Sequence, residues 1–472
     1  MLKSLFAVMI PLACAVAAQH PQLIEMNVGD SVKVPLASGK SRTLKLVAYT
    51  EQKEPYYEPA NNGFADAVVS AEVVVEVDGK RATVVGGPFH MPAAVNGINL
   101  LVGTTRGWTG GIVPDHMSKD VRLEAQDASQ PWSEPGRFVF PVRHYRWRVM
   151  NYQHTWLGLA VNQARLYYHR GEDMGMIPDL EESLAMTDAV VRKVPGPQGD
   201  GASNTVILED GSGLVFHYAH MNAPNILPEL QPGVQVKQGQ KLGLTGNTWR
   251  GAPVKDPHLH VEVHAKQSNG FRNTFPLFVA AYRNSFPGEL LPIAGGWRHL
   301  FADGSIALDG SRSLAGDGRK IVSYEWTFTD GTHAKGATVR RTYTQPGTYS
   351  EQLRVTDDRG RSDLDFVEVF VLSKQQHAAP PYALIDYYPI RGIRPGTEIA
   401  FLTRYNNMRD VTIDFGDGTV VPYAENTTHK FGRSGTYVVT VKGTDAGSGP
   451  GTLKVRVIVE QQRLPGMASV GG

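Results

Sequence analysis

Cysteine is almost missing from this sequence: 472 residues contain one, Cys14. A single thiol excludes an internal disulfide framework, cysteine-based zinc clusters and paired-thiol redox chemistry. Charge of one sign is missing too. Lys and Arg total 47 against 46 Asp and Glu, a formal net charge of +1. No bulk field therefore draws the chain to nucleic acid or to an anionic membrane. After the N-terminus, no apolar run approaches the roughly 18 residues of a spanning helix, so no membrane span is expected. Apolar residues at helical spacing are also scarce. Glycine (50) and proline (30) are plentiful instead. With many Val- and Thr-rich runs, they predict β-structure joined by turns. A chain of this length exceeds one core and divides into about three or four domains.

Residues 1–18 read as an export signal. Lys3 gives the positive start, residues 5–16 are apolar but too short to span, and Ala15-Val-Ala-Ala18 offers small residues for cleavage beside Gln19. A lipoprotein site at Cys14 is the rival reading. Pro11 stands where that signal expects an aliphatic residue, so export is preferred. A secreted or periplasmic location in the cell envelope follows, with no cysteine in the mature chain.

The expected fold class is mostly β and multidomain. Residues 19–137 form an N-terminal β domain; within it, Val68-Val-Ser-Ala-Glu-Val-Val-Val-Glu-Val77 runs into an Asp78-Gly79 turn. This part carries no catalytic constellation, and a supporting or occluding role is the plain reading. A second, antiparallel β domain opens at Phe138-Val-Phe-Pro-Val142 and spans 138–290. The remainder holds a diverged repeat over 291–374 and 375–461, then a disordered tail, 462–472. Tyr324-Glu-Trp-Thr-Phe-Thr-Asp-Gly331 leads to Pro346-Gly-Thr-Tyr349 in one copy, and Val411-Thr-Ile-Asp-Phe-Gly-Asp-Gly418 leads to Ser434-Gly-Thr-Tyr437 in the other. Each copy reads strand, Asp-Gly turn, strand, Gly-Thr-Tyr corner, strand, the order of a small Ig-like β-sandwich. Both resemble polycystic-kidney-disease (PKD) domains, which implies spacers or modules that contact glycans or proteins. Residues 374–381 read as a linker. Tyr387 and Tyr388 are candidate contact aromatics, with sandwich packing the plainer reading. Asp414 and Asp417 can bind calcium or form a polar turn, and the turn is preferred.

The second domain holds the chemistry. In His258-Leu-His260, side chains two apart on a strand face the same way, with Leu259 and Val261 behind them. With 15 histidines in the chain, one such pair arises by chance about half the time, so it does not identify a site alone. His169 and Asp173 share a face of either a helix or a strand, and the intervening Gly171 favours an extended or turning segment. Imidazole and carboxylate are ordinary zinc ligands. In Phe216-His-Tyr-Ala-His-Met221, strand parity groups Tyr218 with His220 and sets His217 on the other face, so His220 is preferred for chemistry. Glu262 shares the face of His258 and His260, either orienting a ligand imidazole or facing solvent. His264 continues that face and reads as surface.

In order and spacing, four segments resemble the LytM/lysostaphin-type zinc metalloendopeptidases of bacterial cell walls. They are His169-Arg-Gly-Glu-Asp173, Tyr218-Ala-His-Met221, Gly233-Val-Gln-Val-Lys-Gln-Gly-Gln-Lys-Leu-Gly243 and His258-Leu-His-Val-Glu-Val263. The resemblance implies one zinc ion held by His169, Asp173 and His260, with His220 and His258 as catalytic histidines. It implies hydrolysis of peptide bonds in peptidoglycan or another peptide substrate. The alternative is a catalytically silent regulator or wall-binding protein of the same family, although all five positions are filled here. The chain departs from the family where Lys255-Asp256-Pro257 replaces a Gly-Pro before the H-L-H segment, and where Asp173 is followed by Met-Gly-Met.

Overall fold

A computed structural model describes residues 20–108, 117–147, 155–162, 165–265, 270–376, 378–445 and 449–461. The expected export signal, Cys14 and the tail 462–472 lie outside the described residues. Among those described, no helix is long and apolar enough to cross a membrane.

The N-terminal part consists of two four-stranded sheets. One is dominated by a long hairpin, Ser41–Glu58 against Gly63–Val77. The Val-rich stretch of the second strand alternates inward and outward, burying Val73, Val75 and Val77 against Ile98, Leu100 and Leu123 of the other sheet. Asp78 and Gly79 both take positive φ (46° and 83°) between Val77 and Lys80. That is the two-residue turn the Asp-Gly pair predicts.

The site-bearing part is a six-stranded antiparallel sheet. Its order is Glu172–Gly175, His258–Ala265, Leu214–Ala219, Val206–Asp210, Ala189–Lys193, Gln235–Val236. The central strand splits by parity. Leu259, Val261 and Val263 are buried in a core with Phe138, Phe140, Trp147 and the helix Phe275–Ser285. His258, His260, Glu262 and His264 alternate with them and line the opposite face.

Two sandwiches follow, and their sheets join. Strand Gly347–Asp357 of the first meets Pro450–Val459 of the second through a parallel pairing of Thr348 with Gly451. The expected linker therefore connects two units that already share a sheet edge. Arg456 of the second sandwich is buried, binding Asp363 of the first at 2.8 Å and the Trp147 carbonyl at 3.2 Å. Tyr387 is fully buried and donates to the Arg456 carbonyl at 2.9 Å, so it packs the core instead of offering a contact surface. Asp417 pairs with His429 at 2.7 Å and Asp414 with Lys442 at 3.3 Å, within a polar turn.

All four parts are fastened together. Arg391 of the second sandwich binds Glu289 at 2.6 and 2.9 Å and the Tyr145 carbonyl at 2.6 Å. At the other end, buried Glu54 from the long hairpin accepts from Arg298 at 2.6 and 2.8 Å and from the His299 amide at 2.8 Å. Phe64 packs edge-on against Phe301 beside this clasp, centroids 4.9 Å apart.

Candidate metal centre

Strand register brings the first two groups together. Asp173 on the edge strand lies directly opposite His260 on the central strand, and Asp173 Oδ1 sits 2.8 Å from His260 Nδ1. His169 reaches the same point from just before the edge strand. It can do so because Gly171 takes φ +124°, where a Cβ would lie 2.7 Å from the Val261 carbonyl and 3.0 Å from the His260 ring. His169 Nε2 then lies 3.0 Å from His260 Nδ1 and 3.3 Å from Asp173 Oδ1. These three donors form a triangle with edges of 2.8, 3.0 and 3.3 Å. Tetrahedral bonds of about 2.0–2.1 Å to zinc require edges of about 3.3 Å; one edge meets that and two are shorter, while the donor set of two imidazole nitrogens and a carboxylate oxygen fits a zinc ion bound by three protein ligands. Among the described residues, His169, Asp173 and His260 are the group able to hold a metal. Burial works against charge on His260, but the Asp173 carboxylate outweighs it and lifts the imidazole to about 10. The site therefore favours a cation at this point.

His220 and His258 stand alongside, ring centroids 4.6 Å apart, with His220 5.7 Å from His260. His220 Nδ1 donates to the Thr248 carbonyl at 2.9 Å and His258 Nδ1 to the Asp256 carbonyl at 2.8 Å. Because a carbonyl only accepts, each contact places the proton on Nδ1 and turns Nε2 inward. Burial, reinforced by the neighbouring His258 and His260, pushes His220 down to about 3, so it is neutral near pH 7. His258 Nε2 is 3.3 Å from Asp173 Oδ2.

His220 reaches the site, but not by sharing a strand face with Tyr218. Leu214–Ala219 ends one residue earlier, and His220 swings in through a left-handed turn at φ +67°. Tyr218 faces the core, its hydroxyl bound by the Met186 amide at 2.9 Å. His217, opposite Glu262 in the register, shares the site face. Nor is His264 simply surface. Its Nε2 lies 3.0 Å from His217 Nε2, and its ring stacks on Phe271 at 5.5 Å. His217 Nδ1 is 3.4 Å from Glu262 Oε1, and Glu262 Oε2 is 3.9 Å from His260 Nε2. A side-chain chain thus runs from the metal triangle through Glu262 to the two outer histidines, the arrangement that orients a ligand imidazole. Glu172, also missed, is buried on the reverse face. It accepts from Thr155 and Thr274, each at 3.0 Å, and ties two other segments to the ligand strand. Its opposite strand parity to Asp173 was the available signal.

Comparison with known proteins bears directly on this geometry. The model of peptidase family M23 matches residues 167–271, and PKD-domain models match 292–371 and 387–459. The chain carries a peptidase family M23 domain followed by two PKD domains. The M23 match begins two residues before His169 and covers all five site groups. Peptidoglycan DD-endopeptidase ShyA of Vibrio cholerae is 35% identical over 78 residues, 16% of this chain and 16% of that protein. The human dyslexia-associated protein KIAA0319 is 30% identical over 187 residues, 36% of this chain and 15% of that protein. The chain therefore spans about 15% of the length of the curated relatives it matches first. A solved structure assigned as a glycyl-glycine endopeptidase lytM, from Ruminococcus gnavus, is 27% identical. It covers 24% of this chain and 47% of that one at a TM-score of 0.21.

Proposed function

We propose that this protein is an exported, zinc-dependent metalloendopeptidase that hydrolyses peptide bonds in the cross-linking peptides of peptidoglycan. The observation that carries the reading is the donor triangle of His169, Asp173 and His260 with two further imidazoles beside it. The M23 match and the similarity to a peptidoglycan endopeptidase support the substrate class. The residues at 1–18 support export.

When bound, zinc would lower the pKa of a water from about 15.7 toward 7 and polarise the scissile carbonyl. The rest falls to the chain. His220 is neutral, its Nδ1 proton held by Thr248, so Nε2 accepts a proton from the attacking water and returns it to the leaving amine. His258 is oriented by the Asp256 carbonyl. It stands beside His220, placed to stabilise the charge developing on the carbonyl oxygen. Buried surroundings strengthen both contacts by excluding water.

The test is incubation of purified protein with cross-linked peptidoglycan, with and without chelator, and mass analysis of released fragments. Zinc should bind one to one, and peptides should appear only without chelator. His260→Ala should lose both metal and cleavage. His220→Ala should keep metal and lose cleavage by about 10²–10⁴-fold. Full zinc occupancy with no cleaved peptide would move the protein to the silent, wall-binding reading.

A further inference from the structure

A small hairpin stands just before the Lys255-Asp256-Pro257 departure. Thr248–Trp249 pairs with Ala252–Pro253 in a small hairpin on the rim of the site. Its two loop residues, Arg250 and Gly251, take φ of +51° and +72°, a left-handed turn that Asn-Gly fills more readily than a residue such as arginine. Thr248 supplies the carbonyl that fixes His220. Trp249 lies 5.4 Å from the His220 ring yet remains 38% exposed. The Arg250 guanidinium lies 6.0 Å from the Trp249 ring centre. Arg250 and Lys255 are both exposed, and among the described residues neither has a carboxylate partner. The loop's own carboxylate, Asp256, is half-buried and lies toward the phenols of Tyr167 and Tyr382. Arg404 of the second sandwich reaches the Lys255 carbonyl and pins the loop.

An exposed indole beside the proposed catalytic base, with the Arg250 guanidinium 6.0 Å from its ring centre and the exposed Lys255 two residues past the hairpin, is a recognition surface for an apolar body bearing an anionic group. We propose that Trp249, Arg250 and Lys255 form a subsite for a carboxylate-bearing residue of the peptide substrate, next to the bond that is cut. The indole face receives the residue's methylenes and backbone, and the guanidinium and ammonium receive its carboxylate. The inference rests on the peptidase reading and narrows its substrate to acidic peptides.

The experiment compares cross-linked peptidoglycan fragments with the same fragments after their free carboxylates are converted to amides. Wild-type zinc-loaded protein should favour the untreated fragments by about tenfold in kcat/KM, mostly through KM. Arg250→Gln combined with Lys255→Gln should lose that preference while keeping zinc and thermal stability. Trp249→Ala should raise KM about fivefold or more for both, and Trp249→Phe should restore much of it. Calorimetric binding of both fragment sets to His220→Ala separates recognition from hydrolysis. If wild type cleaves nothing but His220→Ala binds the untreated fragments more tightly, the peptidase reading falls and the acidic subsite stands. If the double glutamine variant discriminates as well as wild type, the subsite falls and the peptidase reading stands. Competition by peptide-free glycan strands at this hairpin would assign the indole to a sugar ring and overturn the proposal.

Discussion

Replacing Gly171 with alanine tests how the metal triangle is held. Gly171 sits at φ +124°, and its Cβ would meet the Val261 carbonyl at 2.7 Å and the His260 ring at 3.0 Å. The left-handed backbone costs an L-residue about 1–2 kcal/mol, and forced overpacking adds about 1–3 kcal/mol. The strain cannot stay local. Glu172 pairs with Val261 and Asp173 with His260 in the same two strands, so opening the strands moves ligands out of a triangle only 2.8–3.3 Å on edge. We expect Gly171→Ala to lose about 2–5 kcal/mol and to bind zinc about 10–100-fold more weakly. Urea unfolding and zinc competition against a chromophoric chelator read the two effects. Gly233→Ala is the control. It has φ +93° with nothing within 4 Å of the added Cβ, so it should lose about 1–2 kcal/mol and leave zinc affinity unchanged. Wild-type zinc affinity in Gly171→Ala would refute the account of how His169 reaches the site.

Glu262→Gln should weaken zinc by about 10–100-fold with the fold intact, through loss of the carboxylate beside His260; unchanged affinity in the chelator competition would reduce Glu262 to a surface group. Glu54→Ala leaves Nε and Nη2 of Arg298 and the His299 amide without their acceptor, and should cost about 3 kcal/mol in urea unfolding. A loss below about 1 kcal/mol would equate the clasp with an exposed ion pair. Burial, then the Arg298 charge, pushes His299 from 6.5 down to about 3. Between those values the unfolded chain binds the extra proton. Stability from this group is therefore complete above 6.5 and falls as pH drops toward 3, by about 1.4 kcal/mol per pH unit. His299→Leu should flatten that part of the pH–stability curve, and an unchanged slope would show that His299 is not held neutral.

The strand content, the Asp78-Gly79 turn and the repeated sandwiches were legible because each depends on residues close in sequence. Alternating valines and a positive-φ pair write their own local structure. The five candidate site groups stood out as motifs in order, and the structure brings them together. The route of His220 was not. Parity holds only inside a strand, and the chain leaves the strand at Ala219. His217 and His264 were set aside for a different reason: their meeting depends on the register of Leu214–Ala219 against His258–Ala265, and one-residue slippage would reverse every face.

By itself the sequence determined a nearly neutral, cysteine-poor β-protein with zinc-type ligands and two sandwich repeats. Such properties are counts, periodicities and short spacings. Only the tertiary structure decided that the sandwiches share a sheet edge, that Arg391 and Glu54 lock the ends of the molecule to its middle, and that Trp249 stands against His220. Those contacts join residues far apart in the chain. Their free energy exists only once the intervening segments are folded, and no local pattern encodes it.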